Sequence, residues 1–199
     1  MTSEPHDGNT QRPVSHLLLP GWQGSFQGHW QAAWATLPGF SFVEQSDWEW
    51  PRRGDWTTRL EDVVSSTAGP IVLVAHSLGC HLVAHWALMS KQVDRIQGAL
   101  LVAPPYLKVP ELPPQLVPWR ANEAARRTLP FPALVLASSD DRYATVTQAS
   151  QAAETWGAEF RNLGPLGHIN SDSRIGDWPE GLTLLQDFLS RYPFPNEKS

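Results

Sequence analysis

The chain contains 199 residues, of which 41% are hydrophobic and 18% are charged, and its formal net charge is −5. This composition is that of a globular chain with enough residues for one domain and a sizeable core, and it excludes an intrinsically disordered protein. The chain has no basic patch of the kind that binds nucleic acid. No apolar run approaches the length that a membrane-spanning helix needs.

The chain ends and the single cysteine indicate the compartment. Residues 1–13 have neither the charged start nor the apolar middle of a signal peptide, and we expect them to form a flexible tail, as we do residues 193–199. Cys80 has no second cysteine to pair with, which excludes an intrachain disulfide and fits a reducing environment. We therefore expect a cytoplasmic protein with one folded domain over residues 14–192.

Short apolar runs alternate with helical patterns along this domain. The runs are bounded by Gly, Pro or polar turn residues, and the longer patterns carry apolar residues at helical spacing. Asp55 is predicted to cap the second helix. In chain order we predict a strand over residues 14–20, a helix over 29–37, a strand over 40–45, a helix over 55–67, a strand over 71–75, a helix over 78–89, strands over 96–103 and 132–137, a helix over 146–156, a strand over 158–163 and a helix over 181–191.

Alternating strands and helices predict an α/β fold with a mostly parallel sheet and helices on both faces. We expect the second strand to lie at the edge, next to the first, with the third and later strands following in order. In such sheets ligands bind beyond the carboxyl ends of the strands, where the strand order reverses. Residues 104–130 contain seven prolines and no long periodic segment, and we interpret them as a functional loop or a small cap.

The junction after the third strand carries the strongest chemical signal. Ile71–Ala75 is an apolar run of strand length, and Ser77 follows between the small residues Ala75 and Gly79. A strand that turns into a helix at one residue holds that residue in a strained conformation, with its side chain exposed at the sheet edge. Ser77 is therefore predicted to be a nucleophile. The simpler alternative is that Ser77 only caps the following helix.

A serine nucleophile needs a base and an acid that orients the base. Asp140 and Asp141 directly follow one predicted strand, and His168 follows another. Each of these segments follows the carboxyl end of a predicted strand, and the chain order Ser, Asp, His is that of the α/β-hydrolases. We predict a catalytic triad of Ser77, Asp141 and His168. Asp140, the other candidate acid, is predicted to be an exposed turn residue.

The remaining parts of the site are less specific. The main-chain N–H groups of Trp22 and Leu78 are the predicted oxyanion donors, and Gln23, His76 and Trp48 are the candidate substrate-binding residues. Six tryptophans either line an acyl or aromatic pocket or cover the sheet, and the sequence favours neither reading. They are Trp22, Trp30, Trp34, Trp48, Trp50 and Trp56.

A metal site is the main alternative chemistry. His81 and His85 are spaced as one helical turn, and Cys80 and His76 lie nearby. The Glu of the metalloprotease motif H-E-x-x-H is absent, so we predict no metal and no cofactor. Cys80 is expected to be a buried apolar residue rather than a nucleophile. His29 is interpreted as a residue at the start of a helix.

Several segments together resemble one family of small serine hydrolases, which includes retinoblastoma-binding protein nine and its bacterial relatives. They are P-G-W-Q-G-S at 20–25, H-W at 29–30, A-H-S-L-G at 75–79, S-S-D-D-R-Y at 138–143, G-H-I-N at 167–170 and W-P-E-G at 178–181. The resemblance implies a minimal α/β-hydrolase core of about six strands without a metal. It also implies the triad roles of Ser77, Asp141 and His168. Pro20 stands where many hydrolases have a histidine before the oxyanion loop.

The expected activity is that of a carboxylesterase-like serine hydrolase. Its substrates would be small carboxylic esters or related acyl compounds, cleaved through an acyl-enzyme. The alternative is a binding or regulatory protein that keeps the hydrolase fold without turnover, because fold alone does not decide function. The expected partner is a small molecule; neither nucleic acid nor a membrane is expected, and the sequence does not indicate a protein partner.

Overall fold

The computed structural model describes residues 13–120 and 127–194. Most of the two predicted tails, at 1–12 and 195–199, therefore lies outside the described residues, and so do residues 121–126 of the Pro-rich segment. Within the described part of the chain, no helix combines the length and the apolar character that a membrane span requires.

The core of the molecule is a six-stranded sheet in which every pair of neighbouring strands is parallel. The strand order is β2-β1-β3-β4-β5-β6, which confirms the predicted order and the predicted α/β class. The order reverses between β1 and β3, so the loops after these two strands meet at the same edge. The strands are β1 Ser15–Leu19, β2 Phe40–Phe42, β3 Ile71–His76, β4 Ile96–Val102, β5 Ala133–Ala137 and β6 Glu159–Asn162.

Helices cover both faces of this sheet. Successive residues of a strand point to opposite faces, and Leu73 and Val74 accordingly belong to two separate clusters of buried residues. One cluster includes α2, α3 and α5, and the other includes α1 and α6. The α-helices are α1 Trp30–Trp34, α2 Arg53–Ser66, α3 Leu78–Met89, α4 Val117–Arg120, α5 Val146–Trp156 and α6 Pro179–Ser190.

The start of α2 differs from the prediction. Arg52 occupies the capping position without a side-chain hydrogen bond, and Asp55 lies inside the first turn. The first helical bond, from the N–H of Trp56 to the oxygen of Arg52, already encloses Asp55. The prediction that Asp55 caps the helix is therefore wrong, although an acidic residue in a first turn still favours the helix dipole.

The tryptophans mostly cover the sheet. Trp30, Trp34 and Trp56 are completely buried, and they lie on both faces. Trp119, in the described part of the Pro-rich segment, is also buried and donates its indole N–H to the oxygen of Pro51 at 2.6 Å. Trp50 is 54% exposed. The buried members of the group thus contribute to the core, because large apolar rings cover a sheet efficiently.

Candidate active site

Ser77 lies between β3 and α3 in a conformation that L-residues rarely adopt. Its φ is 54° and its ψ is −122°, a backbone geometry that persists only where the surrounding structure imposes it. Its N–H donates to the oxygen of Val102 in the neighbouring strand at 2.9 Å. Its hydroxyl makes no capping bond to α3, so the alternative that Ser77 only caps the helix is not supported.

Two glycines allow the chain to pass close to Ser77. A Cβ on Gly79 would collide with the main-chain oxygen of Leu19, so α3 packs against the end of β1 only because residue 79 has no side chain. A Cβ on Gly21 would lie 2.7 Å from the Cβ of Ser77. The loop after β1 therefore reaches Ser77 directly, as the sheet order requires.

The structure places the three predicted triad side chains in one hydrogen-bonded chain. The Nε2 atom of His168 lies 2.9 Å from the hydroxyl of Ser77, and Nδ1 lies 2.8 Å from Oδ2 of Asp141. The side chains of His168 and Asp141 are 9% and 3% exposed. Because a carboxylate can only accept, Nδ1 carries the proton toward Asp141 and Nε2 is free to accept from the serine.

The two neighbouring aspartates have different partners. Asp141 faces His168 with Oδ2, and its Oδ1 accepts the N–H of Tyr143 at 2.9 Å. Asp140 is exposed and lies in a turn, as expected, and it also accepts two hydrogen bonds: its Oδ1 accepts from the hydroxyl of Ser138 and from the N–H of Gly167, each at 2.7 Å. Asp140 therefore bonds the segment that carries His168, whereas Asp141 bonds the imidazole itself.

The predicted oxyanion donors are available. Within the described residues, the main-chain N–H groups of Trp22 and Leu78 have no acceptor. The loop after β1, which carries Trp22, is ordered by other bonds, since the N–H of Gln23 donates to the oxygen of Trp48 at 3.1 Å and the N–H of Gly24 donates to the oxygen of Gly21 at 3.1 Å. Free N–H groups beside a nucleophile are the donors that an oxyanion requires.

The three candidate substrate-binding residues lie in different surroundings. Gln23 is exposed, with its amide 3.4 Å from a carboxylate oxygen of Glu49. Trp48 is half-buried and packs edge-on against Phe26 and Trp56. His76 is 4% exposed, and its Nε2–H donates to the main-chain oxygen of His168 at 2.9 Å. The side chain of His76 therefore supports the segment that carries His168.

His76 and His29, which lie near His168, are held uncharged by their lowered pKa values. Burial, with smaller contributions from His29 and His168, keeps the pKa of His76 well below its usual range. Burial and the nearby His168 lower the pKa of His29 to about 4. The Nδ1 atom of His29 accepts the N–H of Gln31 at 3.1 Å, so His29 caps α1 as the sequence indicated. Charge beside His168 thus comes from Asp141 and not from these imidazoles.

Sequence reasoning missed two aromatic neighbours of His168. The ring of Tyr143 meets the imidazole edge-on with 4.5 Å between centroids, and 45% of Tyr143 remains exposed. The indole N–H of Trp30 donates to the oxygen of Ile169 at 2.8 Å. Tyr143 could have been suspected because it follows Asp141 by two residues. No local signal links Trp30 to a residue 139 positions away.

The residues considered for a metal are engaged differently. His81 donates Nε2–H to the oxygen of Pro105 at 2.8 Å. The thiol of Cys80 is buried and points to the oxygen of Val102 at 3.4 Å, and burial raises its pKa strongly. Across the residues that the structure describes, no three His, Cys, Asp or Glu side chains are grouped to hold a metal ion. Cys80 is a buried small residue, as expected.

Comparison with known proteins agrees with this geometry. A model of the serine hydrolase family matches residues 16–187. A solved YdeN-like hydrolase from Pectobacterium atrosepticum is 26% identical, with a TM-score of 0.78 over 90% of this chain and 92% of that chain. The ydeN gene product from Bacillus subtilis is 20% identical, with a TM-score of 0.71 over 90% of this chain and 100% of that chain. No curated protein matches the chain.

Proposed function

The chain belongs to the serine hydrolase family, and from that premise we propose that it hydrolyses small carboxylic esters or related acyl compounds through an acyl-enzyme on Ser77. The observation that carries the proposal is the unbroken chain from Asp141 through His168 to Ser77, with contacts of 2.8 and 2.9 Å. These distances are those at which a histidine can take a proton from a serine hydroxyl.

The first half of the reaction forms the acyl-enzyme. The Oγ atom of Ser77 attacks the carbonyl carbon of the ester while its proton passes to Nε2 of His168. Asp141 holds the imidazole in the accepting tautomer and stabilises the imidazolium that forms. The carbonyl oxygen becomes an oxyanion, which the N–H groups of Trp22 and Leu78 would bind. The imidazolium then gives its proton to the departing alcohol as the C–O bond breaks.

The second half repeats these roles with water. His168 takes a proton from water as the water oxygen attacks the acyl carbon, and it returns a proton to Oγ of Ser77 when the carboxylic acid leaves. The position of Ser77 at the start of α3 also favours the negative charge that develops beside it, because the amino-terminal end of a helix carries a partial positive charge.

An exposed aromatic ring next to the imidazole supports an apolar substrate group. Tyr143 presents a partly exposed ring against His168, and Phe26, in the loop after Trp22, is 62% exposed. An exposed aromatic ring beside a reactive centre is typical of sites that hold acyl or aromatic groups. The proposed substrate is therefore a small molecule with an apolar part next to its ester.

A fluorophosphonate probe tests the proposal. The wild-type protein should form a covalent adduct at Ser77 and hydrolyse at least one member of a panel of p-nitrophenyl esters of graded chain length. Ser77→Ala should lose both properties, and its turnover should fall by ~10³-fold or more. Ser139→Ala, which removes an exposed hydroxyl near the site, is the matched control and should behave as the wild type.

The alternative is a binding or regulatory protein that retains the fold. It predicts no adduct in the wild type and no turnover with any ester in the panel. An adduct that persists in Ser77→Ala would instead place the nucleophile at another residue.

A further inference from the structure

The segment that carries His168 is bonded by side chains from other parts of the chain at four consecutive residues, 166–169. It lies in a loop after β6, without the support of a helix or strand. Ile169 has a φ of 49°, which is unfavourable for a β-branched residue and requires the surroundings to hold it. The bonds around the loop therefore determine where the imidazole lies.

The inner side of the loop is held by two buried aromatic side chains. His76 donates to the main-chain oxygen of His168 at 2.9 Å, and Trp30 donates to that of Ile169 at 2.8 Å. Both donors are buried, so these bonds are protected from competition with water.

The outer side is held by two side chains that follow β5. The hydroxyl of Ser138 accepts the N–H of Leu166 at 2.8 Å and donates to Oδ1 of Asp140 at 2.7 Å. The same carboxylate oxygen accepts the N–H of Gly167 at 2.7 Å. The hydroxyl proton is used toward Asp140, which leaves the lone pairs of Ser138 to accept from the N–H of Leu166 and, at 3.5 Å, from the N–H of Asp140.

We propose that Asp140 is a positioning residue, which holds His168 in reach of Ser77 through the main-chain N–H of Gly167, with Ser138 as its partner. The inference rests on the proposed function, because it assigns a task to the carboxylate that the triad does not use. Asp140 and Asp141 then act on the same histidine in two ways. Asp141 orients the ring, and Asp140 fixes the backbone from which the ring projects.

The chemistry of the contacts suits this task. Hydrogen bonds from Ser138 and Gly167 lower the pKa of Asp140, so the carboxylate stays charged at neutral pH. A bond between a carboxylate and a main-chain N–H is stronger than one between neutral groups. Gly167 directly precedes His168, so a shift of its amide moves the imidazole with little attenuation.

Two replacements of Asp140 separate positioning from charge. Asp140→Asn keeps an Oδ1 atom that can accept from both Ser138 and Gly167, and its kcat should stay within about twofold of the wild type. Asp140→Ala removes the acceptor, and its kcat should fall about tenfold or more with KM nearly unchanged, because small displacements of a catalytic group are costly. The rate of fluorophosphonate labelling of Ser77 should fall in parallel.

The matched control is Asp172→Ala. Asp172 is an exposed aspartate four residues after His168, and within the described part of the chain its main-chain N–H donates to Oδ1 of Asn170 while its carboxylate accepts no hydrogen bond. This variant should keep the wild-type kcat and KM. Thermal unfolding of every variant shows whether the assay temperature lies below its transition.

Three results would overturn the inference. They are a wild-type kcat in Asp140→Ala, an equal loss in Asp140→Asn, or a loss in Asp140→Ala that disappears at temperatures where the variant is fully folded. Each of them is distinguishable from failure of the proposed function. If the proposed function itself fails, the wild-type protein neither reacts with the fluorophosphonate probe nor hydrolyses the esters, and Ser77→Ala changes nothing.

Discussion

The two halves of the candidate site are built in different ways. Ser77 is held by its own neighbourhood: a buried strand on one side, a helix on the other, and glycines at 21 and 79 that admit the close approach. The segment that carries His168 is held from a distance, by side chains that lie between 27 and 139 positions away from the residues they bond. The comparison suggests that the nucleophile half is sensitive to added volume, whereas the histidine half is sensitive to lost hydrogen bonds.

Asp141→Asn should break the histidine half most severely. The amide keeps the shape and the acceptor for the N–H of Tyr143, but it presents an N–H group to Nδ1 of His168. The favoured tautomer then carries its proton on Nε2 and cannot accept from Ser77. We expect ester turnover to fall by ~10³–10⁴-fold without a change of fold.

Steady-state kinetics of Asp141→Asn and of Asp140→Asn, measured side by side, provide the check. The structure assigns the imidazole contact to Asp141 alone of the two residues, so Asp140→Asn should remain nearly normal. If instead Asp140→Asn were inactive and Asp141→Asn active, the acid would be one residue earlier than proposed.

Gly21→Ala should break the nucleophile half by volume alone. The added methyl group would lie 2.7 Å from Cβ and 3.2 Å from Oγ of Ser77, so either the serine or the loop must move. A displacement of about 1 Å at a catalytic group reduces the rate by roughly 10²-fold. Hydrolysis by this variant should fall accordingly while circular dichroism stays unchanged.

Gly54→Ala provides the control for the same substitution. No atom lies within 4 Å of a Cβ built at Gly54, and the position is in the first turn of α2. Activity should therefore be normal in Gly54→Ala. Normal activity in Gly21→Ala as well would show that the loop after β1 can retreat without a catalytic cost.

The contrast between the halves also explains what sequence reasoning could find. The strand, the serine and the helix follow one another from Ile71 to Met89, and their local pattern is enough to predict a strained junction. The alternation of elements similarly predicted the strand order, because parallel strands with helical crossovers allow few arrangements.

Long-range contacts carried no such signal. The bonds of Trp30 to Ile169, of His76 to His168 and of Asp140 to Gly167 join residues whose types are unremarkable where they stand. The same limit accounts for Asp55: a capping residue at the predicted start of a helix is convincing locally, but α2 begins two residues earlier. The helix begins at Arg53 because the first main-chain bond of the helix joins the N–H of Trp56 to the oxygen of Arg52.

The uncharged histidines near the site give the smallest expected effect in the comparison of the two halves, a pH dependence of stability. His29 caps α1 with its ring buried, and its pKa is lowered to about 4 by burial and by His168. A folded-state pKa below the unfolded value means that the unfolded chain binds the proton more readily. Stability from this group is therefore complete above about pH 6.5, the unfolded value, and it is lost as pH falls toward 4.

Denaturant unfolding at pH 8 and pH 5 measures this contribution. A pKa of about 4 in the folded protein corresponds to a loss of about 2 kcal/mol in the free energy of unfolding between these two pH values. His16, whose pKa burial also lowers to about 4, should add to the total in the wild type. In His29→Asn the cap is kept by a residue that does not titrate, so the fall between pH 8 and pH 5 should be smaller by about that amount. An identical fall in both proteins would mean that His29 titrates normally and that its ring is open to water, although it packs against the buried rings of Trp30 and His76 that hold the His168 loop.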